Sequence, residues 1–470
     1  MHRLRPTPLL PVAIALACAA APAWAQDPPS QAPAVDDTAA PETSLPEASE
    51  SQASVPEAGT TDAQQADAAI PGSVDDDTAL PTSPRWTGTA SVAAVAASGT
   101  RDLDDAGSRF GLALRGRGEW RHAGWRALGE VAFGSERLAY DAAPWLRQAW
   151  LSHASGAVEW RVGRQILSWG RADRLNPTDN LAPRNLRGLV ADIDEDRMGL
   201  DSASVRLQLG ERVNATFLHA PRMRATVLPE GIASIPAALG GRRVADQVSD
   251  QNTQALRIDY AGNALDASIS IVDGPSMNPA FVDALPPGFA PHAIQPGVRI
   301  VGADFSAALG DRWGLRGEFA STRFDRRAPA GLGDFRYAVL GVERHIDGGW
   351  LALAQWVHRR AEREPAAMPS LAGALNRAVW FQTEARSDAL YLGLNRAQFE
   401  GALSGNVGVL QTLDDRGRAW FANVAWRIDD HWNLLARWQH FSGPVDTNLG
   451  ALRRDSLVLL ELRGTWGGSR

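Results

Sequence analysis

The sequence predicts an all-β protein: a transmembrane antiparallel β-barrel of about 18 strands, with 16 as the alternative count, after a signal peptide and a disordered linker. Three observations predict it. Apolar and polar residues alternate in short segments from residue 86 onward, the connections between those segments alternate between tight and long, and a secretory leader precedes a chain with no apolar run long enough for a spanning helix.

The leader comes first. Arg3 and Arg5 precede an apolar run from Leu9 to Ala21, and Ala23-Trp24-Ala25 supplies a small-residue cleavage site before Gln26. Residues 1–25 therefore read as a secretory signal peptide. A spanning helix needs roughly 20 apolar residues, so membrane residence has to come from strands. Cys18 is the only cysteine, and Ala15-Leu16-Ala17-Cys18 matches a lipoprotein cleavage pattern less well than the Ala25 site fits export. Cleavage at Ala25 leaves a chain without thiol or disulfide. All 47 basic side chains are Arg, a compositional bias with no functional content, and the net charge of −7 argues against nucleic acid as a partner.

Residues 26–85 are rich in Ala, Pro, Ser and acid, carry no Arg before Arg85 and offer almost nothing large and apolar to bury. They read as a disordered acidic linker, either a tolerated leader or a periplasmic spacer. The barrel domain is assigned to residues 86–470. Phe110, Leu112, Leu114 and Trp120 oppose Arg109, Arg115, Arg117 and Glu119; Leu265, Ala267, Ile269 and Ile271 oppose Asp266, Ser268 and Ser270; Trp420, Ala422, Val424, Trp426 and Ile428 oppose Phe421, Asn423 and Arg427. In a soluble sandwich the apolar face would point to a core. In a membrane barrel it points to lipid, the polar face lines the lumen, and aromatic residues collect at the strand ends. The export signal and the 17 Trp against 4 Tyr favour the second sense.

Tight connections are expected at 121–124, 154–157, 210–212, 261–264, 310–312, 347–349, 396–401 and 429–431. Longer ones fall at 99–107, 136–144, 171–200, 221–252, 274–297, 325–334, 362–387, 413–418 and 443–455. Short periplasmic turns alternating with long external loops are what such barrels show, and the count gives both termini on the periplasmic side. The final strand carries Val458, Leu460, Leu462 and Trp466 on one face and Glu461, Arg463 and Thr465 on the other, followed by four trailing residues after the last aromatic.

The strand from Val158 to Trp169 leads into the third long connection, where Asn176-Pro177-Thr178-Asp179 forms a strong turn. The Gly163-Arg164-Gln165 strand running into Trp169-Gly170 and then Asn176-Pro177-Thr178-Asp179-Asn180 resembles a group of proteobacterial porin-like outer-membrane barrels of largely undefined function, and more distantly the alginate-export barrels. That resemblance implies a barrel and transport, without a substrate. The loop carries Arg171, Asp173, Arg174, Asp179, Arg184, Arg187, Asp192, Asp194, Glu195 and Asp196, with Leu181, Leu186, Leu189 and Val190 as apolar anchors. Two placements are open: folded into the lumen, where its charges narrow a pore, as the resemblance implies, or capping the external face. The acids of residues 192–196 invite a Ca²⁺ reading, but Arg197 and Ala203 stand where a calcium loop of that class needs Gly and Glu. No metal or cofactor is expected.

By alternation the lumen wall takes Arg115, Arg117, Glu119, Arg161, Arg206, Arg257, Arg316, Glu318, Arg437 and Arg463, with Glu130, Asp259, Asp266, Glu343 and Glu461 among them. Arg164 breaks the pattern, since Val162 and Ile166 flank it on the lipid face; a bulge at Gly163 or a different register would explain it. The leading function is passive diffusion of small polar solutes, anions included, through a channel of the outer membrane reached by way of the periplasm. Alternatives are a polysaccharide or hydrophobic-compound channel, for which Trp150 and Phe421 are candidate inward aromatics, and a structural or adhesive barrel without an open pore. The scattered His residues and the absence of Gly-x-Ser-x-Gly or His-Glu-x-x-His motifs argue against an enzyme. Expected partners are outer-membrane lipid, small polar solutes and the barrel assembly machinery, with self-association open.

Overall fold

The computed structural model describes residues 83–99, 108–134, 145–172, 175–185, 193–228, 249–283, 291–325, 328–362, 370–399, 402–444, 449 and 456–469. The leader expected at 1–25, and the linker up to residue 82, lie outside them. The strands are β1 (Arg85–Gly99), β2 (Ser108–His122), β3 (Trp125–Gly134), β4 (Leu146–Ser155), β5 (Val158–Gln165), β6 (Leu200–Leu209), β7 (Val213–Ala220), β8 (Thr253–Ala261) and β9 (Leu265–Pro275). A small hairpin of β10 (Ala280–Val282) and β11 (His292–Ile294) intervenes. Then come β12 (Gly297–Leu309), β13 (Trp313–Phe324), β14 (Asp334–Ile346), β15 (Trp350–Glu362), β16 (Arg386–Phe399), β17 (Leu403–Thr412), β18 (Arg418–Arg427), β19 (Trp432–Ser442) and β20 (Leu457–Ser469).

Apart from the hairpin, each strand pairs antiparallel with the one before it, β9 pairs with β12, and β1 pairs with β20. The result is a closed ring of 18 strands without an edge, so the backbone groups of every strand find partners within the ring. The tight connections are real turns. Ala123 and Gly124, both at positive φ, join β2 to β3 in the geometry that matches strand twist, and a Cβ on Gly124 would lie 2.6 Å from the Ala154 carbonyl oxygen.

The alternation has the membrane sense. Phe110, Leu112 and Leu114 on β2 are more than half exposed, while Arg115, Arg117 and Glu119 on its other face are shielded inside. At the tight-turn end, outward Trp side chains form a girdle, with rings in contact for Trp86 and Trp120, Trp125 and Trp160, and Trp432 and Trp466. On β15 the girdle residue Trp350 and the outward Arg360 near the opposite end are separated by about ten residues, which at ~3.3 Å per residue and a ~40° tilt spans about 25 Å, the height of an apolar band.

Four details depart from expectation. The strand leading into the third connection ends at Gln165 rather than Trp169, because Trp169 turns inward and packs in an apolar cluster with Leu181, Met223, Phe281 and Trp380. That connection therefore runs from 166 to 199. β16 extends to Phe399 through a register shift after Arg396, so the turn expected at 396–401 begins later. The trailing residues after Trp466 belong to β20 as far as Ser469, which pairs with Thr87. Finally, Arg164 needs no bulge: its strand pairs regularly on both sides, and it faces outward in a two-bond ion pair with Asp201 at 2.7 and 2.8 Å.

Two long connections hold structure that strand alternation could not announce. The β9–β12 connection contains the small hairpin, and the β15–β16 connection contains α1 (Leu371–Val379). They are bound together: Asn376 on α1 donates to the Phe281 carbonyl and accepts from its N–H, and the Trp380 indole donates to the Pro279 carbonyl. An arginine placed in the lipid-facing middle of a strand, Leu340→Arg on β14, is expected to destabilise the refolded barrel by about 2–4 kcal/mol, against about 0–1 kcal/mol for Leu309→Arg at the tight-turn rim, as measured by denaturant unfolding in lipid vesicles.

Candidate functional site: the lumen and its third connection

After β5 the chain crosses the inside of the barrel. The Arg171 guanidinium lies 2.6 Å from Asp304 on β12 and within 3.7 Å of Asp259 on β8 and Asp266 on β9. Beside it, the Glu318 carboxylate of β13 accepts four hydrogen bonds from the loop: the N–H groups of Arg171, Ala172 and Thr178, and the Thr178 hydroxyl at 2.9 Å. A carboxylate among backbone donors is a strong acceptor, and here it sets the path of the loop.

The Asn176-Pro177-Thr178-Asp179 turn forms as expected, with the Asp179 N–H donating to the Asn176 carbonyl. Asp179 then clamps the two limbs of the loop, 2.7 Å from Arg197 and 3.6 Å from Arg184, while Arg184 holds Asp196 at 2.8 Å. Backbone bonds from Asn185 to Asp196 and from Met198 to Pro183 lock the same crossing. Leu181 is fully buried beneath it.

The returning limb makes a 3-10 turn at Ile193–Asp196 and reaches a different wall. Glu195 is held by Arg115 of β2 at 2.5 Å and by Arg463 of β20 at 2.7 and 2.9 Å, and its carbonyl accepts from Arg147 of β4. Behind it Glu130 of β3 binds Arg115, Arg147 and Gln148. In the ring β2 and β13 are nine strands apart, half the circumference. The described parts of the loop are thus tied to opposite walls. Burial opposes ionisation of Glu195, yet the guanidinium groups of Arg463, Arg115 and Arg147 outweigh it and hold the carboxyl at about 2.

Of the expected loop residues, Arg171, Asp179, Arg184, Glu195 and Asp196 enter this network; Asp194 belongs to the 3-10 turn Ile193–Asp196, and its side chain lies outside what is described. Asp173, Arg174, Arg187 and Asp192, with the anchors Leu186, Leu189 and Val190, lie outside the described residues. The expected wall residues face inward together. Arg117 approaches Glu130 at 3.6 Å, and Glu119 binds Arg121 and Arg126. Arg161 lies 4.2 Å over the Trp150 ring, and Arg206 stands opposite Glu159 in register. Arg257 pairs with Asp259 and Asp304, Arg316 with Glu343, Arg437 with Gln439, and Arg463 with Glu461.

The charges are segregated. Arginines dominate the arc of β2 to β6 with β19 and β20, whereas Asp259, Asp266, Asp304, Glu318 and Glu343 line the arc from β8 to β14. Two residues central to this arrangement escaped the sequence reading. Asp304 was legible from the alternation of β12. Arg147 was not, because a bulge pairs Gln148 with Glu130 and Leu146 with Val131, and so turns an out-of-phase residue inward. Among the described residues no group of three or more His, Cys, Asp or Glu side chains is arranged to hold a metal ion.

No protein-family model matches the chain, and no curated protein matches it. Solved structures do. Acinetobacter baumannii OccAB4 is 8% identical with a TM-score of 0.51, covering 83% of this chain and 99% of that one. Pseudomonas aeruginosa OpdO is 13% identical with a TM-score of 0.51, covering 83% and 98%, and Pseudomonas aeruginosa OccK5 (OpdH) is 13% identical with a TM-score of 0.50, covering 82% and 98%. Such neighbours are outer-membrane porins of Gram-negative bacteria, and at these identities the likeness shows the shared barrel fold.

Because the Glu195 carboxyl is depressed in the folded protein, its anchor is fully present above the ordinary value of 4.5 and is lost as pH falls toward about 2. A nitroxide on Ile193→Cys, read by electron paramagnetic resonance, is expected to gain mobility over that acid window, and in the Glu195→Gln background to be mobile throughout.

Proposed function

We propose that the chain is a channel of the bacterial outer membrane, reached through the periplasm, that passes small polar solutes by diffusion with no chemical step. The third connection narrows its lumen. The observation that carries this reading is the anchoring of that loop at opposite walls, Arg171 and Thr178 on one side and Glu195 on the other, between an arginine-rich arc and an acidic one. A solute crossing there passes between fixed charges of opposite sign in a confined space, which selects by field and size. Arg161, Arg206 and Arg437 lie on the arginine arc apart from the loop anchors, and favour anionic solutes. The barrel fold shared with porins supports the same class of function. Outer-membrane lipid and the barrel assembly machinery are partners on this reading, and a homo-oligomer is compatible with it.

A sugar or hydrophobic-compound track would need open aromatic faces inside. Trp150 and Phe421 do face inward, but the Trp150 ring carries Arg161 and Arg126, and Phe421 packs against Phe441. Neither offers a free stacking surface, which favours the polar-solute reading.

Single-channel recording from the refolded protein in planar bilayers tests the proposal. The expected result is a stable small conductance that grows when residues 186–196 are deleted, with a reversal potential in a salt gradient of the sign for anions. Replacing Arg161, Arg206 and Arg437 together by Gln is expected to lower the anion preference without unfolding the barrel. A folded protein silent in both the intact and the deleted form would instead be a closed structural or adhesive barrel.

A further inference from the structure

On the outer surface, at the long-connection end of the barrel, five arginines stand in a row over five successive strands: Arg299 on β12, Arg323 on β13, Arg336 on β14, Arg360 on β15 and Arg386 on β16. All five are exposed. Three cross-strand neighbours in the row are like-charged, Arg299 with Arg323, Arg336 with Arg360, and Arg360 with Arg386. Like charges directly opposite across a strand pair are destabilising unless something neutralises them. Three of the five have that: Asp273 holds Arg299, Glu362 holds Arg336 at 3.2 Å and Asp388 holds Arg386 at 2.8 Å. The nearby Asp334 carboxylate is engaged by the Phe324 N–H at 3.0 Å. Among the described residues Arg323 and Arg360 have no ion-pair partner.

Directly toward the middle of the strands, the same face turns to exposed Val301, Phe319, Leu340 and Trp356. The row therefore sits at the upper border of the apolar band, where lipid headgroups lie, and its two unpartnered guanidiniums are two strands apart, about 10 Å. Guanidinium forks match phosphate oxygens in bidentate geometry. We infer that this arginine row is a docking surface for the phosphorylated headgroup of an outer-leaflet glycolipid, with phosphate at Arg323 and Arg360 and acyl chains along the apolar face below. The inference rests on the outer-membrane placement made in the proposed function, though not on an open lumen.

The test is native mass spectrometry of the full detergent-solubilised barrel with three probes: a bisphosphorylated glycolipid, the same glycolipid without phosphates, and inorganic phosphate. Wild-type protein is expected to retain the bisphosphorylated lipid at least about tenfold better than the dephosphorylated one, and the R323Q/R360Q variant, which loses both charge-assisted contacts, to lose that preference. R85Q/R212Q, altered at the tight-turn end, should behave as wild type. Equal retention of both lipids by the wild type, which needs no variant to fold, would overturn the inference. So would displacement of the lipid by millimolar inorganic phosphate, which marks a free-anion site. Bilayer conductance of the same preparation separates the two readings: conductance without lipid discrimination overturns the docking surface alone, and discrimination without conductance supports it while removing the channel.

Discussion

Inside a bilayer no water is at hand to hydrogen-bond a stray backbone amide, and each unmet group costs several kcal/mol, so a chain that crosses by strands has to close on itself. Pairing between β1 and β20 meets that requirement here and governs everything else. It gives the sheet an inside and an outside, and thereby decides what alternating residues mean. Leu460 and Leu462 are exposed because they face the surroundings of the cylinder, and Glu461 between them is nearly inaccessible because it faces the crowded interior. The interior this creates sets mutually paired Arg and acid beside apolar clusters around Trp169 and Phe421, while the outer face is apolar, the reverse of a soluble domain's surface.

Much of this was legible from residue order alone, because the period of two is a direct consequence of strand geometry. The strand count, most connections and the inward direction of the expected wall residues follow from it. The Arg164 anomaly was visible in the sequence, but neither the bulge nor the change of register expected there explains it. An outward arginine at the end of β5, beside the outward Asp201 at the start of β6, is an ion pair at the membrane border, and only the assumption that a charge cannot face outward made it look like an error. What alternation could not supply were features that depend on long-range packing: the early end of β5 as Trp169 turns inward, the bulge that admits Arg147, and the hairpin and helix that give the external connections a packed core.

The loop network shows how a connection of more than thirty residues is given one path. Its acids and arginines are not spread along the lumen as a uniform lining. Asp179 with Arg184 and Arg197 fixes the fold of the loop itself, whereas Arg171 and Glu195 fix its position against the walls. The same side chains therefore spend most of their charge on each other. Arg206, opposite Glu159 in register, stands apart from that network.

The two wall anchors of this loop also carry a consequence for the order of assembly. Thr178 meets Glu318, 140 positions later in the chain, and Glu195 meets Arg463, 268 positions later. Contacts that distant form slowly and late, since the intervening chain has to be organised before they can be made. Strands β5 and β6 can therefore pair well before the loop between them is tied to β13 and β20. The fully anchored loop is a product of the finished cylinder, and a barrel arrested with its last strand unpaired would leave Glu195 without Arg463, a recognisable difference between an unfinished protein and a complete one.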